Sequence, residues 1–245
     1  MEGYPITEGV TRMPLTALFL NCTLKASPAV SNTQALIDKV AALMERQGVA
    51  AETVRIADEN VGTGISSDLG EGDGWPPILA KVRSCDILVI ATPIWLGHMS
   101  SLCQRVIERL DDTYAAYDTT TGQFPLYDKV GAVIVTGNED GAQATSCEVL
   151  YALQSFGCTI PPNSDVYWVG DAGAGPSYIA AHAERHYYTN KCAAWMAYNA
   201  VWMAGVLRDN PCTTNLLDLA AEQLALSDPP KTDPHEEDRA RRMDA

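Results

Sequence analysis

The chain is short of positive charge. Its 17 Lys and Arg stand against 31 Asp and Glu, a formal net charge of −14. Nucleic acid and anionic membrane surfaces are bound through basic surface, so neither is expected as a partner. Also lacking is any uninterrupted apolar run of the roughly 18 residues that a membrane-spanning helix needs. The nearest candidate, 193–207, is interrupted by Asn199 and reads as a buried helix. No Cys-x-x-Cys pair occurs among the seven cysteines. Their odd number and mostly apolar settings predict reduced, buried thiols. Met1 to Met13 has no apolar centre, so no signal peptide is read there and a cytoplasmic location is expected. The sequence has no Gly-x-Ser-x-Gly elbow, which removes the main support for a hydrolase. What is present, 47% hydrophobic and 20% charged residues, fits a globular protein with a sizeable core. With so little positive charge, an anionic ligand must be held by local dipoles and neutral donors.

Apolar runs alternate with helical periodicities along the chain. Leu15 to Asn21 reads as a first strand, followed by a polar loop and a helix opening at Ser31-Asn32-Thr33, with Leu36, Val40, Leu43 and Met44 at helical spacing. Ala51 to Ile56 is the second strand, and Ala57 to Trp75 a long connection with five glycines. Asp86 to Ala91 is the third strand, halted at Thr92-Pro93. A helix follows from Met99 to about Asp112. Lys129 to Thr136 is strand four, Gly141 to Phe156 a helix, Ser164 to Val169 strand five, and Pro176 to about Leu207 a long helix. This alternation predicts an α/β fold, a five-stranded parallel sheet covered on both faces in a three-layer sandwich. The chain divides into an N-terminal extension (1–13), one domain (14–208) and an acidic, mobile tail (209–245).

In a sheet of order 2-1-3-4-5, strands one, three and four lie side by side, and the loops after them converge at one edge, where open α/β sheets bind ligands. The first loop offers Thr23, Ser31, Asn32 and Thr33 at a helix N-terminus, with Lys25 as its one full positive charge. Unpaired backbone N–H groups there suit a phosphate, although Ser31 serves equally as a plain helix cap. In the second loop Pro93 stiffens the chain, Ile94 and Leu96 flank an aromatic face at Trp95, and Gly97 permits close approach. Such a loop suits a planar ring, and a tryptophan packed in the core is the alternative. The third loop, Thr136, Gly137 and Asn138, places an amide side chain near the same edge.

These loops resemble those of the flavodoxin-like NAD(P)H-dependent FMN reductases, including the WrbA-type quinone reductases. The segment Cys22 to Thr33 is similar to the family's phosphate loop, Thr92 to Ser100 to its isoalloxazine loop, and Gln104 to Asp111 to its third helix. The resemblance covers roughly residues 15 to 170. It implies a flavodoxin-like sheet of order 2-1-3-4-5 with an extended C-terminal helix, bound FMN, and NAD(P)H as co-substrate. It also implies a quinone or similar small acceptor and a homodimer or homotetramer, for which the aromatic loop Tyr114 to Tyr127 is the expected contact. Thr23, Lys25, Ser31, Asn32 and Thr33 would hold the phosphate, and Pro93 to Gly97 with Thr136, Gly137 and Asn138 would border the ring. The flavin carries the chemistry, so no catalytic residue and no metal is assigned. A flavodoxin-type FMN electron carrier without its own substrate is the alternative. The arginine often found in the family's phosphate loop is missing, with Lys25 in its stead. The glycine-rich insertion and the region from Pro176 match nothing in the family pattern.

Two further patterns point elsewhere. His182 and His186 lie one helical turn apart, but the position after the first is Ala183 rather than glutamate, so a solvated face is read in place of a zinc site. Gly170 to Gly175 lacks the Gly-x-Gly-x-x-Gly spacing and reads as a flexible connection.

Overall fold

The structure is a computed structural model describing residues 13–173 and 175–227. The positions 1–12 of the extension and 228–245 of the tail lie outside the described residues.

Two compact units are defined, the larger comprising residues up to 117 and 124–212. In it strands β1 (Thr16–Asn21), β2 (Ala50–Arg55), β3 (Ile87–Trp95), β5 (Val130–Gly137) and β6 (Asp165–Val169) form a parallel sheet of order β2-β1-β3-β5-β6. A two-residue strand, β4 (His98–Met99), pairs antiparallel with the end of β3. Leaving aside that short return, the order is the 2-1-3-4-5 expected of a flavodoxin-like sheet.

The helices are α1 (Asn32–Glu45), α2 (Trp75–Ser84), α3 (Ser101–Leu110), α4 (Ala142–Ser155) and α5 (Tyr187–Asp209). Successive strand side chains point to opposite faces. Phe19, Val89, Ala132 and Ile134 therefore meet Leu36, Val40 and Met44 of α1 and Ala193, Met196 and Ala200 of α5. The alternate set, Leu18, Leu20, Leu88, Ile90, Val133 and Val135, meets α2, α3 and α4 through residues such as Ile78, Val106 and Val149. Near-continuous apolar strands are what burial on both faces demands.

Strand three does not halt at Thr92-Pro93. It runs to Trp95, pairing with β5 as far as Pro93 opposite Thr136. Cys22 N donates to Ala91 O at 2.8 Å, and the ladder with β1 ends at Asn21 opposite Ala91. Alternate residues direct their backbone groups to the same neighbour, so Pro93 faces the β1 side just beyond the last β1 residue. Its missing N–H forfeits no ladder bond, and proline is tolerated inside the strand.

The long helix expected from Pro176 starts only at Tyr187. His182 takes a left-handed backbone (φ 52°), a single 3-10 turn spans Ala183–Arg185, and His186 caps α5 through its side chain, which accepts from Thr189 N. The two histidines thus do not share a helical face. The aromatics of the 114–127 loop are partly consumed internally: Tyr114 stacks edge-on to Phe124 at 4.7 Å and tilts against Phe156 at 5.4 Å. Leu126 is fully buried.

Residues 57–75, the glycine-rich connection, are anchored by a buried ion pair. Arg109 Nη2 donates to Asp73 Oδ2 at 2.5 Å, with both side chains nearly inaccessible. The same guanidinium lies 5.7 Å from the centroid of the Trp75 ring.

The smaller unit joins 118–123 to 213–227 among the described residues. Leu216 N donates to Thr121 O at 2.7 Å, and Asn215 caps helix α6 (Leu216–Leu226), which lies within the segment read from sequence as a tail.

Candidate cofactor site

The carboxyl ends of β1, β3 and β5 open onto a cleft of about 250 Å³. Hydrogen bonds fix its walls. Asn21, fully buried at the end of β1, accepts from Thr23 N at 3.0 Å and donates to Gln34 at 2.8 Å. The Thr33 and Thr136 hydroxyls share a hydrogen bond of 2.8 Å, tying the start of α1 to the end of β5. Thr92 Oγ1 accepts from Ser100 N at 3.0 Å, and Ser100 Oγ donates to Cys22 O at 2.7 Å, joining β3, α3 and the first loop.

Ten of the thirteen residues read from sequence line this cleft: Thr23, Lys25, Asn32, Thr33, Pro93, Ile94, Trp95, Thr136, Gly137 and Asn138. Ser31 does not. It is buried as the cap of α1, its hydroxyl accepting from Gln34 N at 3.1 Å. Leu96 and Gly97 do not either. With φ of 50° and 82° they form the two-residue turn between β3 and β4, and Leu96 is 88% exposed at its tip. Asn138 lines the cleft, yet its Nδ2 donates to Gly175 O at 2.9 Å, so one amide hydrogen positions the chain after β6. Gly137 is required by packing: a Cβ there would meet the Ile94 side chain at 2.9 Å. His98 lies outside the cleft, 3.3 Å from Glu148.

Four lining residues escaped sequence reading: Leu24, Glu139, Ser177 and Tyr178. The last two belong to the segment after β6, which Asn32 Oδ1 clasps by accepting from Ile179 N at 3.0 Å. The signal was available in the strand order. β6 lies beside β5 and ends at the same sheet edge, so the chain leaving it must pass the same opening. Tyr178 packs edge-on to Trp168 at 5.6 Å and is 2% exposed. Among the described residues its hydroxyl is buried without a hydrogen-bond partner, and burial pushes its pKa up to about 12.

The donor set suits a flavin phosphate. Hydroxyl groups of Thr23 and Thr33 and the amide of Asn32 gather at the first turn of a 14-residue helix, beside the Lys25 ammonium. That combination favours a dianion where the whole-chain charge does not. Trp95, 55% exposed at the end of β3, presents an aromatic face at the rim. An orphaned phenol at the wall is a donor waiting for an acceptor. The residues fit FMN.

Fold and cleft together define a flavodoxin-like nucleotide-binding α/β protein. The sequence model of the family described as NADPH-dependent FMN reductase matches residues 17–172, and the chain belongs to this family. Its cofactors are accordingly FMN and NADPH. A Streptomyces davaonensis protein named 8-demethyl-8-aminoriboflavin-5′-phosphate synthase is 41% identical over 213 residues, 83% of this chain and 82% of its own. The crystal structure of RosB, with 8-demethyl-8-formylriboflavin-5′-phosphate bound as an intermediate, superposes with a TM-score of 0.80. It is 39% identical and covers 87% of this chain and 88% of that one. A Mycobacterium bovis protein named divalent metal cation transporter MntH is 41% identical over 202 residues, 79% of this chain but only 29% of that protein. Among the described residues no helix is long and apolar enough to cross a membrane.

Proposed function

We propose that this protein is an FMN-dependent oxidoreductase that takes hydride from NAD(P)H and passes electrons to a quinone or similar small acceptor. The observation that carries the reading is the cleft's construction: phosphate-type donors at one end and an exposed aromatic rim, Trp95, at the other. Bound FMN supplies the hydride and electron chemistry; the protein supplies binding, orientation and electrostatics. Thr23, Lys25, Asn32 and Thr33 hold the phosphate end. Ser31 acts behind them, fixing the first turn of α1. Pro93, Ile94 and Trp95 border the ring, with Thr136, Gly137 and Asn138 on the β5 side. Leu96 and Gly97 shape the hairpin that carries Trp95. Tyr178 donates its hydroxyl to the bound ligand, which removes the cost of leaving that group unpaired.

A second reading is favoured by one observation, the 41% identity to a named flavin-phosphate synthase over most of both chains. There the flavin 5′-phosphate is itself the molecule converted, and the same cleft holds it as substrate.

Anaerobic mixing with NADPH, followed by a quinone, tests the first reading. Loss of the oxidised flavin absorbance on NADPH and its recovery on quinone are expected. A protein that binds FMN but shows no NADPH-dependent bleaching overturns the reading and fits an electron carrier. Mass spectrometry of the flavin extracted after aerobic incubation of the protein with FMN and an amino-group donor separates the second: an altered ring mass supports conversion, and unchanged FMN rejects it.

A further inference from the structure

Two asparagines line the cleft, and each spends one end of its side chain on the segment that follows β6. Asn32, in the first turn of α1, accepts from Ile179 N at 3.0 Å through its Oδ1. Asn138, just past β5, donates from Nδ2 to Gly175 O at 2.9 Å, while its main-chain carbonyl accepts from Gly173 N at 2.7 Å. A backbone N–H can only donate and a backbone carbonyl can only accept, so these partners fix which end of each amide is which. The two side chains are therefore held in opposite senses. Asn32 keeps both Nδ2 hydrogens for the cleft, and Asn138 keeps its Oδ1. Among the described residues no hydrogen bond engages either of those ends.

The opposition matches the two ends of a flavin phosphate. Phosphate oxygens accept, and Asn32 joins Thr23, Thr33 and Lys25 there as a donor. The oxidised isoalloxazine has a single N–H, at N3 between two carbonyls, and that group calls for an acceptor. Pro93, Ile94, Trp95 and Gly137 offer no side-chain acceptor, and the Thr136 hydroxyl is paired with that of Thr33 at 2.8 Å. Glu139 also lines the wall, but no hydrogen bond fixes its carboxylate among the described residues. Asn138 is the acceptor already held in place, and a group ordered before binding pays less to bind. The same segment carries Tyr178 with its unpartnered hydroxyl. Its tight path requires a glycine, because a Cβ on Gly175 would stand 2.5 Å from Asp171 O. It falls after residue 172, where the family match ends, so family membership does not by itself supply it.

We propose that residues 175–179 are a positioning element of the cleft, which turns Asn32 to meet the phosphate as a donor and Asn138 to meet the ring's imide N–H as an acceptor. The inference rests on the reading of the cleft as an FMN site. Asn138 is then a specificity residue for flavins whose N3 is unsubstituted, and Ile179 and Gly175 act through the two asparagines.

Calorimetric titration with FMN, riboflavin and N3-methyl-FMN tests both halves. Asn32→Asp keeps an oxygen for Ile179 N but turns a second, charged oxygen toward the phosphate. FMN affinity should fall roughly thirtyfold or more, with riboflavin changed less than about threefold. A loss of equal size for both flavins, or none, overturns the role of Asn32, since a merely structural defect would not tell the two ligands apart. Wild type should bind N3-methyl-FMN about tenfold more weakly than FMN, and Asn138→Ala should bind the two within about threefold of each other. Equal binding by wild type, or discrimination that survives in Asn138→Ala, overturns the role of Asn138. The wild-type comparison needs no variant to fold. Hydrogen exchange followed by NMR reports the positioning itself: in ligand-free protein the Ile179 amide should exchange about tenfold more slowly in wild type than in Asn32→Ala. Equal rates overturn the clasp. Failure of wild type to bind FMN at all would overturn the cofactor reading, whereas flavin binding without these differences overturns the amide assignment alone.

Discussion

A Cβ placed on Gly141 would stand 2.6 Å from the carbonyl oxygen of Gly97 and 2.7 Å from its Cα. These two glycines seat the β3–β4 hairpin on the start of α4. Gly141 also has φ of 113°, a left-handed conformation that side chains disfavour. Gly141→Ala should therefore push the hairpin, and Trp95 with it, out of place. We expect a loss of about 1–3 kcal/mol in stability and a weakening of FMN binding by about tenfold. Thermal denaturation and flavin-fluorescence titration report the two effects, and wild-type values in both would show that the contact carries no weight.

Trp95→Ala separates binding from folding. The ring is largely exposed, so stability should stay within about 0.5 kcal/mol of wild type. FMN affinity or acceptor KM should worsen instead. Wild-type flavin affinity and turnover would remove Trp95 from the site.

Tyr178→Phe should act in opposite directions on the two states. In the ligand-free protein it deletes a buried unpartnered hydroxyl and should raise stability by about 1 kcal/mol. In the complex it removes a donor and should weaken FMN binding about fivefold, close to 1 kcal/mol. With its pKa pushed up to about 12 by burial, the phenol stays protonated, so its contribution should not vary across neutral pH. A calorimetric titration that finds unchanged affinity would assign the residue a packing role alone.

Asp73 gives the fold an acid limit. The hydrogen bonds from Arg109 hold its carboxyl well below the usual carboxylate range, outweighing the opposing effect of burial. An unfolded aspartate titrates near about 3.9, so the unfolded state binds the proton more readily and stability rises with pH. The contribution is complete above about pH 4 and is lost as pH falls toward the folded value. Asp73→Asn should flatten that part of the stability profile. At neutral pH it should cost about 3–5 kcal/mol, because the Arg109 guanidinium is left buried and unpaired. Urea unfolding at several pH values distinguishes the two profiles, and parallel curves would rule out Asp73 as the source.

Much of this was legible in the chain. The apolar runs announced the strands because a sheet buried on both faces leaves no polar alternation to disguise them, and Ser31-Asn32-Thr33 announced α1 through its cap. What hid the rest was tertiary. Thr92-Pro93 reads as a strand end unless it is known that β1 stops at Asn21, which excuses the proline's missing donor. Leu96 and Gly97 look ligand-facing until the short return at His98–Met99 turns them into a hairpin tip. Tyr178 sits in a glycine-bounded connection with no periodicity, and only the Asn32 clasp on Ile179 brings it to the cleft. His182 and His186 read as one solvated helix face because the part of His186 as a helix cap depends on where the helix begins.

The unequal lengths of β1 and β3 have a consequence for how the site can evolve. Beyond Ala91 the longer strand continues alone on one side, so the sheet ends in a step whose tread is main chain from Thr92 to Trp95. A shelf made of backbone keeps its contour whatever side chains adorn its margins. Substitutions in the surrounding loops can then retune which molecule is accepted while the place of docking stays put, and one scaffold can serve chemically distinct flavin reactions.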